Sequence, residues 1–528
     1  MRLTREKIIG TAVVLVVLLG FLRCGDIWVE GPGGNGGAAG DGGVAGDGGS
    51  CGDSACEGEE DVSNCPVDCD HDIVVVVDKG LAETLASSLE VYLADSQREH
   101  RLVRIELWEP GTVNELKTLL FDQVDRYGVE GAFLIGNLPA AFYEHRVICL
   151  AWDRLNRCVM YEYEEFPTDV YLQDRNAVWE DTDGNGKYDR HGELELEIYV
   201  SRLQTLPDQT KCGKSQLFPE CPETYDPGEP FYATEECVTL CPSRLQSQIW
   251  QEYELGDVEC CGPYFFRRYF ERLHEYRTNG ALVNRRAMVF ADDDFVPMLV
   301  PTGLEALYPE VEAVTEGRDT TKDVYLDRLT NDGADFVHQF LHSTVRNLYF
   351  YDCKEWDEGQ DPPECLNTTA QRIYRTEVSA GPFEPSYNLL VSFANMYNCH
   401  ASRFTEPNLG MAFTLQTDYG LATVGNTRKG GMKDATVFHR ELAEGSSWGE
   451  SYRRWYNEVG KHDDRWYLGV VLSGDPTLTI PRFGGEGFVA ARPSEGSLGI
   501  ETPPELLASD PPETFEEYRR RNPQFFGN

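Results

Sequence analysis

The chain is poor in positive charge. It carries 47 lysines and arginines against 89 aspartates and glutamates, a formal net charge of −42 at pH 7 over 528 residues. Such a field repels phosphate backbones and anionic lipid headgroups, so nucleic acid and membrane surfaces are poor partners, whereas cations and basic peptides are better ones. Long apolar runs are scarce as well. One stretch, Ile8 to Leu22, is apolar enough to enter a bilayer, and no second segment could span one. There is no H-E-x-x-H string, which leaves a zinc-peptidase reading with nothing to stand on.

What is present begins with a leader. Arg2, Arg5 and Lys7 precede the apolar run, the layout of an export signal or signal anchor over residues 1–23. Cys24 stands where a lipoprotein carries its acylated cysteine, but Arg23 fills a place such signals give to a small residue. A lipid anchor, plain secretion and an uncleaved signal anchor therefore stay open, and each places the remainder outside the cytoplasm, secreted or held at a bacterial cell surface by a membrane tether. Residues 24–50 are a linker, almost all Gly, Ala and Asp from residue 31, a composition that cannot bury a core. Residues 51–70 hold Cys51, Cys56, Cys65 and Cys69, a module too small to fold on apolar burial and expected to be stapled by two disulfides.

From residue 71 the texture changes. Short β-branched runs ("DIVVVVD", "LVRIELW", "GAFLIGNLP", "ELEIYVSRL", "RRAMVFAD", "ADFVHQFLH", "YNLLVSFAN", "GLATVGNT", "LGVVLSGDPTLTI") alternate with amphipathic helical stretches. This predicts an α/β domain over 71–485 with a parallel sheet flanked by helices. Two Cys-bearing, disulfide-rich insertions interrupt it, a long one at about 204–262 and a shorter one near 351–387. Residues 486–528, with two Pro-Pro pairs, read as a tail of low order.

The sixteen cysteines fall into sets. Four lie in the small module, Cys149 and Cys158 are close in sequence, six fill the long insertion, and Cys353 and Cys365 bracket the shorter one. Setting Cys24 aside as part of the leader leaves an odd number, so one thiol lacks a partner within the mature chain. Cys399 is the cysteine without a neighbour.

A thiolate attacks a carbonyl well when a base takes its proton, and histidine is the usual base. His342 has the best context, at the end of a strand-like run followed by a polar turn. Cys399 ends the next predicted strand, and parallel neighbours would set both side chains on the carboxyl rim of the sheet, where α/β proteins build their sites. His338 lies inside the apolar run. His400, if protonated, would favour a thiolate beside it.

Seven landmarks in order, "FLIGNLPAAF", "PTDVYLQD" with an acidic loop after it, "EIYVSRL", a strand ending in His, "NCHASRF" followed by a helix, "LATVGNTR" and "LSGDPTLTI", resemble the gingipain-type cysteine peptidases, relatives of caspases and legumains. The resemblance runs from about residue 72 to 481. It implies a caspase-hemoglobinase-like fold, Cys399 as nucleophile, His342 as general acid/base, and the backbone N–H groups of Ser343 and Cys399 as the oxyanion hole. The family usually has glycine where this chain has Ser343, and often where it has Leu341. Q-A-C-x-G is absent, so specificity for aspartate is not implied. Asp169 matches an acidic position in the pocket that selects arginine in some members, which implies cleavage after basic residues; a structural aspartate is the competing reading. Glu144 and Asp169 are candidates to orient His342.

"DTDGNGKYD" sets Asp181, Asp183, Asn185 and Asp189 at positions 1, 3, 5 and 9 of an EF-hand-like series, with Gly186 at the sixth. Oxygen ligands at that spacing suit a structural Ca2+; the twelfth position is Gly192, so the usual glutamate is missing or displaced to Glu193 or Glu195. No organic cofactor is implied. "GSSWG" satisfies G-x-S-x-G, but a helix rather than a strand precedes it, and Ser447 with Glu450 reads as a helix cap. The expected function is an exported or surface-tethered cysteine endopeptidase acting on extracellular proteins or peptides. The alternative is an inactive, calcium-stabilised surface binding protein of the same fold, and self-processing of the leader or insertion is a further possibility.

Overall fold

A computed structural model describes residues 71–152, 158–204, 258–292, 295–296, 299–357, 359, 364–374, 387–431 and 433–481. The leader, the linker, the small cysteine module, most of the long insertion and the tail lie outside the described residues.

The domain opens with β1 (Ile73–Asp78), α1 (Lys79–Arg98), β2 (Val103–Trp108), α2 (Val113–Tyr127) and β3 (Gly131–Ile135), the alternation its sequence predicts. In β1 the first five residues are fully buried. Ile73, Val75 and Val77 join one hydrophobic cluster while Val74 and Val76 join another, because successive side chains of a strand point to opposite faces. Both faces must therefore be covered, as a parallel sheet requires. Helix boundaries are local chemistry. In α2 the Thr112 hydroxyl accepts from the Glu115 amide while the Glu115 carboxylate takes the Thr112 amide, and Gly128 ends the helix at φ 67°, an arrangement that contributes on the order of 1 kcal/mol.

After β3 come β4 (Ala141–Trp152), β5 (Cys158–Thr168), α3 (Val170–Gln173), β6 (Trp179–Glu180), β7 (Arg190–His191) and β8 (Tyr199–Leu203). The chain resumes at α4 (Val258–Asn279), which begins inside the span assigned to the long insertion. It continues with β9 (Ala287–Ala291), β10 (Val311–Val314), α5 (Lys322–Asp327), β11 (Phe336–Phe340), β12 (His342–Ser343), β13 (Asn347–Asp357), β14 (Glu364–Tyr374), β15 (Phe393–Met396), β16 (Ala422–Asn426), α6 (Thr436–Glu444), α7 (Trp448–Glu458) and β17 (Val470–Gly474).

Ten strands form one sheet in the order β10-β9-β11-β15-β16-β17-β8-β3-β1-β2. Every adjacent pair is parallel except β16 and β17. The sheet is thus two parallel halves of opposite sense. One rim, called here the near rim, collects the carboxyl ends of β9, β10, β11, β15 and β16; the far rim collects those of β17, β8, β3, β1 and β2. The β4–β5 hairpin, the β12–β13–β14 sheet and the β6–β7 pair are antiparallel additions. No helix among the described residues is long and apolar enough to cross a membrane.

Candidate active site at the near rim

β11 and β15 are parallel neighbours, with Gln339 opposite Met396. Continuing that step past the strand ends sets Leu341 opposite Asn398 and His342 opposite Cys399. Side chains stitch the extension. Gln339 donates to Asn398 Oδ1 at 3.0 Å, Asn398 Nδ2 donates to the Leu341 carbonyl at 2.5 Å, and the Ser343 hydroxyl donates to the Cys399 carbonyl at 2.6 Å. The structure therefore places the two candidate dyad residues at one rim, past the ends of adjacent strands. His342 does not end β11; it opens β12, paired with Tyr349. Its ring packs against Phe295 and Tyr351, with centroids 4.7 and 5.3 Å away. Tyr351 is itself fixed by its amide, which donates to Asp292 Oδ2 at 3.2 Å.

Ser343 in place of glycine does not strain the backbone. Among the described residues His100 and His400 are the non-glycines with positive φ, and Ser343 is not among them. The Thr344 amide donates to the Asn347 carbonyl at 2.9 Å. Because antiparallel partners alternate between bonded and non-bonded pairs, the Ser343 N–H is turned away from β13, toward the Cys399 side. Leu341 is simply core, 2% exposed in a second hydrophobic cluster.

Cys399 is a free, half-buried thiol, as the odd cysteine count predicts, while Cys353 in the shorter insertion is disulfide-bonded. Burial pushes the Cys399 thiol up. The Gly430 N–H, Lys429 and Lys433 pull it down, and Glu164 pushes it up. The turn after β16 is pressed onto the cysteine's own turn: His400 N–H donates to the Arg428 carbonyl at 2.7 Å and Ser402 N–H to the Asn426 carbonyl at 2.8 Å. Gly430 sits so close that a Cβ there would lie 1.8 Å from the Tyr397 carbonyl oxygen, so only glycine fits. His400 takes φ 57°, the left-handed conformation a non-glycine residue rarely adopts.

His400 would favour the thiolate only as a cation. Burial instead lowers its pKa, against the opposing pull of Glu164, so near neutral pH it is uncharged. Glu164 gathers this corner. Burial pushes it up, but His145, Arg428, the Lys429 amide and His400 together hold it down at about 2. Its oxygens lie 2.8 Å from Arg428 Nη2 and 2.6 Å from the Lys429 amide.

Asp169 requires a correction. Its carboxylate is 0% exposed and accepts three hydrogen bonds of 2.8 to 3.0 Å from Arg202. Arg202 in turn donates to the Leu138 and Pro139 carbonyls and stacks on Phe404. This aspartate is a structural counter-ion, closed to a substrate side chain. It is also committed away from His342. Glu144, the other candidate to orient His342, faces the acidic loop.

In that loop Gly186 makes the expected turn at φ 88°. Asp181 points inward, accepting the Gly184, Asn185 and Gly186 amides, and Asn185 Oδ1 accepts the Lys187 amide at 2.9 Å. The oxygens that converge are those of Asp183, Asp189 and Glu144, all within 4.8 Å of one another. Two of the four expected ligands, Asp181 and Asn185, are thus replaced by one from β4, and neither Glu193 nor Glu195 belongs to this group. An all-carboxylate set of hard oxygens fits calcium.

His338 is buried, bonded through Asn395 to His439, and belongs to the core. Ser447 caps α7, accepting from the Glu450 amide at 3.3 Å, as its sequence context predicts. The residues that sequence reasoning missed are Glu164, Lys429, Gly430 and Lys433. The signal for three of them was the string "RKGGMK" shortly after β16, three cations and a glycine pair at a rim. No family model matches the chain, and no curated protein matches it in sequence.

Proposed function

We propose that the protein is a cysteine endopeptidase of the gingipain type, with Cys399 as nucleophile and His342 as its general acid/base. The observation that carries this reading is the hydrogen bond from Ser343 to the Cys399 carbonyl across the ends of adjacent parallel strands, together with a thiol that is free. In the reaction His342 takes the Cys399 proton, the sulfur adds to the scissile carbonyl, and the amides of Ser343 and Cys399 receive the oxyanion. His342 then protonates the leaving amine, and water, deprotonated by the same ring, releases the acyl group. The leader supports action outside the cytoplasm on protein or peptide substrates, from a membrane or lipid tether or in secreted form. The caspase-hemoglobinase resemblance is supported by the strand order and the site's place on it. Calcium held by Glu144, Asp183 and Asp189 would brace the acidic loop.

Mass spectrometry after iodoacetamide treatment of the folded chain, with hydrolysis of casein followed in parallel, tests this. Alkylation at Cys399, with hydrolysis abolished in Cys399→Ala and reduced about 10²- to 10⁴-fold in His342→Ala, is the expected result. A thiol that alkylates without any turnover would overturn the proposal in favour of an inactive binding protein of the same fold.

A further inference from the structure

Lys433 is 2% exposed, and its ammonium nitrogen has no hydrogen-bond partner among the described residues. It lies 5.6 Å from the centroid of the Tyr397 ring and 5.5 Å from that of Tyr467. A buried amine without an acceptor is costly, and a methionine or leucine of similar reach would fill the space without that cost. The two ring contacts recover only part of that cost. The position nevertheless borders the cysteine's turn: His400 N–H donates to the Arg428 carbonyl, Gly430 is packed against Tyr397 and Asn398, and the ring under the Lys433 amine belongs to Tyr397, two residues before Cys399; in keeping with that packing, Lys433 and Cys399 act on each other's ionisation.

We infer that Lys433 is a positioning residue for the nucleophile: residues 428–431 are pressed onto the cysteine's own turn and turn the Gly430 N–H to the Cys399 sulfur, and the Lys433 ammonium, buried over Tyr397, serves as the counter-charge of the thiolate. The inference rests on the peptidase reading for its purpose, though not for its measurement. Gly430, fixed against Tyr397, locks the turn onto the cysteine. The charged groups that act on the sulfur are Lys429, Lys433 and Glu164 from β5, and the titratable side chains nearest in the fold are His400, next in the chain, and His342, past the end of the neighbouring strand. Around the amine they are Arg428, Asp463 and Cys399. Burial and Arg428 bring Lys433 down to about 7, while Asp463 and the sulfur pull it up. When the sulfur becomes negative, the amine is favoured in its charged form, and the reverse follows by reciprocity. No bond forms or breaks at Lys433; the cysteine proton still goes to His342.

The test is the pH profile of Cys399 alkylation by iodoacetamide in the full chain, for wild type, Lys433→Met and Lys433→Arg, each verified as folded by circular dichroism. Expected are a profile displaced to higher pH in Lys433→Met, with alkylation at pH 6.5 slowed roughly five- to tenfold, and return toward wild type in Lys433→Arg. Superimposable profiles overturn the inference. If Lys433→Met does not fold, Lys433→Gln supplies the neutral side of the comparison. A profile that responds to Lys433 in a chain that hydrolyses nothing would sink the peptidase reading alone; full hydrolysis with an unresponsive profile would sink this one alone.

Discussion

Replacing Asp169 by alanine separates a specificity pocket from a structural ion pair. Arg202 and Asp169 are 1% and 0% exposed and meet at 2.8 Å, with three hydrogen bonds between them. Removing the carboxylate strands a guanidinium in a dry site, and breaking such a pair costs about 3–5 kcal/mol. In a cooperative unit of several hundred residues that corresponds to a fall in Tm of roughly 4–6 °C. Removing both partners, in Asp169→Ala with Arg202→Met, eliminates the stranded charge and leaves only the Leu138 and Pro139 carbonyls without their donor. The double variant should therefore be more stable than Asp169→Ala, a non-additivity that measures the pair. Thermal melts of the three variants read the first effect, and hydrolysis of arginyl against leucyl amides reads the second, where the preference should be unchanged. A variant with wild-type Tm that has lost a preference for arginine would refute this account and restore Asp169 as a substrate contact.

Two further outcomes follow from charge placed in the fold. Burial holds His439 down to about 4 and His338 well below its usual range. Between pH 6.5 and 4 the unfolded chain takes up protons the fold refuses, so stability is present above 6.5 and falls with pH, by up to about 1.4 kcal/mol per pH unit from His439. Asp335, pushed up to about 7 by burial, runs the opposite way: its contribution is present below its unfolded value and is lost as pH rises through about 7. Urea melts at pH 4.5, 5.5 and 6.5 should give a shallower loss in His439→Gln, and parallel dependences in the two proteins would refute the assignment. Millimolar calcium should raise the wild-type Tm by a few degrees, because a ligand at a hundred times its Kd stabilises by about 2.7 kcal/mol; Glu144→Gln should abolish the rise, and an unchanged wild-type Tm would remove calcium from the loop.

The core strands were legible because β-branched runs such as Ile73–Val77 have one physical use, burial on both faces of a sheet. That Cys399 and His342 lie past the ends of neighbouring strands at one rim was legible from two apolar runs that each give out just before them. The β4–β5 and β13–β14 hairpins were not: residues such as Glu144, Arg146, Glu164 and Lys354 interrupt any clean apolar alternation, since these ribbons leave the main sheet. Asp169 misled because an acidic residue in a loop looks alike whether its partner is a substrate or an arginine thirty-three positions away. Glu144 was invisible as a loop partner for the same reason, as sequence spacing sees only ligands within the loop itself. The burial of Lys433 over Tyr397 depends on how the chain after β16 closes over a neighbouring strand end, which no periodicity encodes.

The reversal of strand direction between β16 and β17 gives the molecule two doorways facing opposite ways. The chain leaves β8 at Leu203, on the rim opposite the one that holds Cys399. Sequence joined at that strand end can lengthen or change composition without passing through the rim that holds Cys399. A lineage of such proteins could diversify its outward surface at one doorway without renegotiating chemistry at the other.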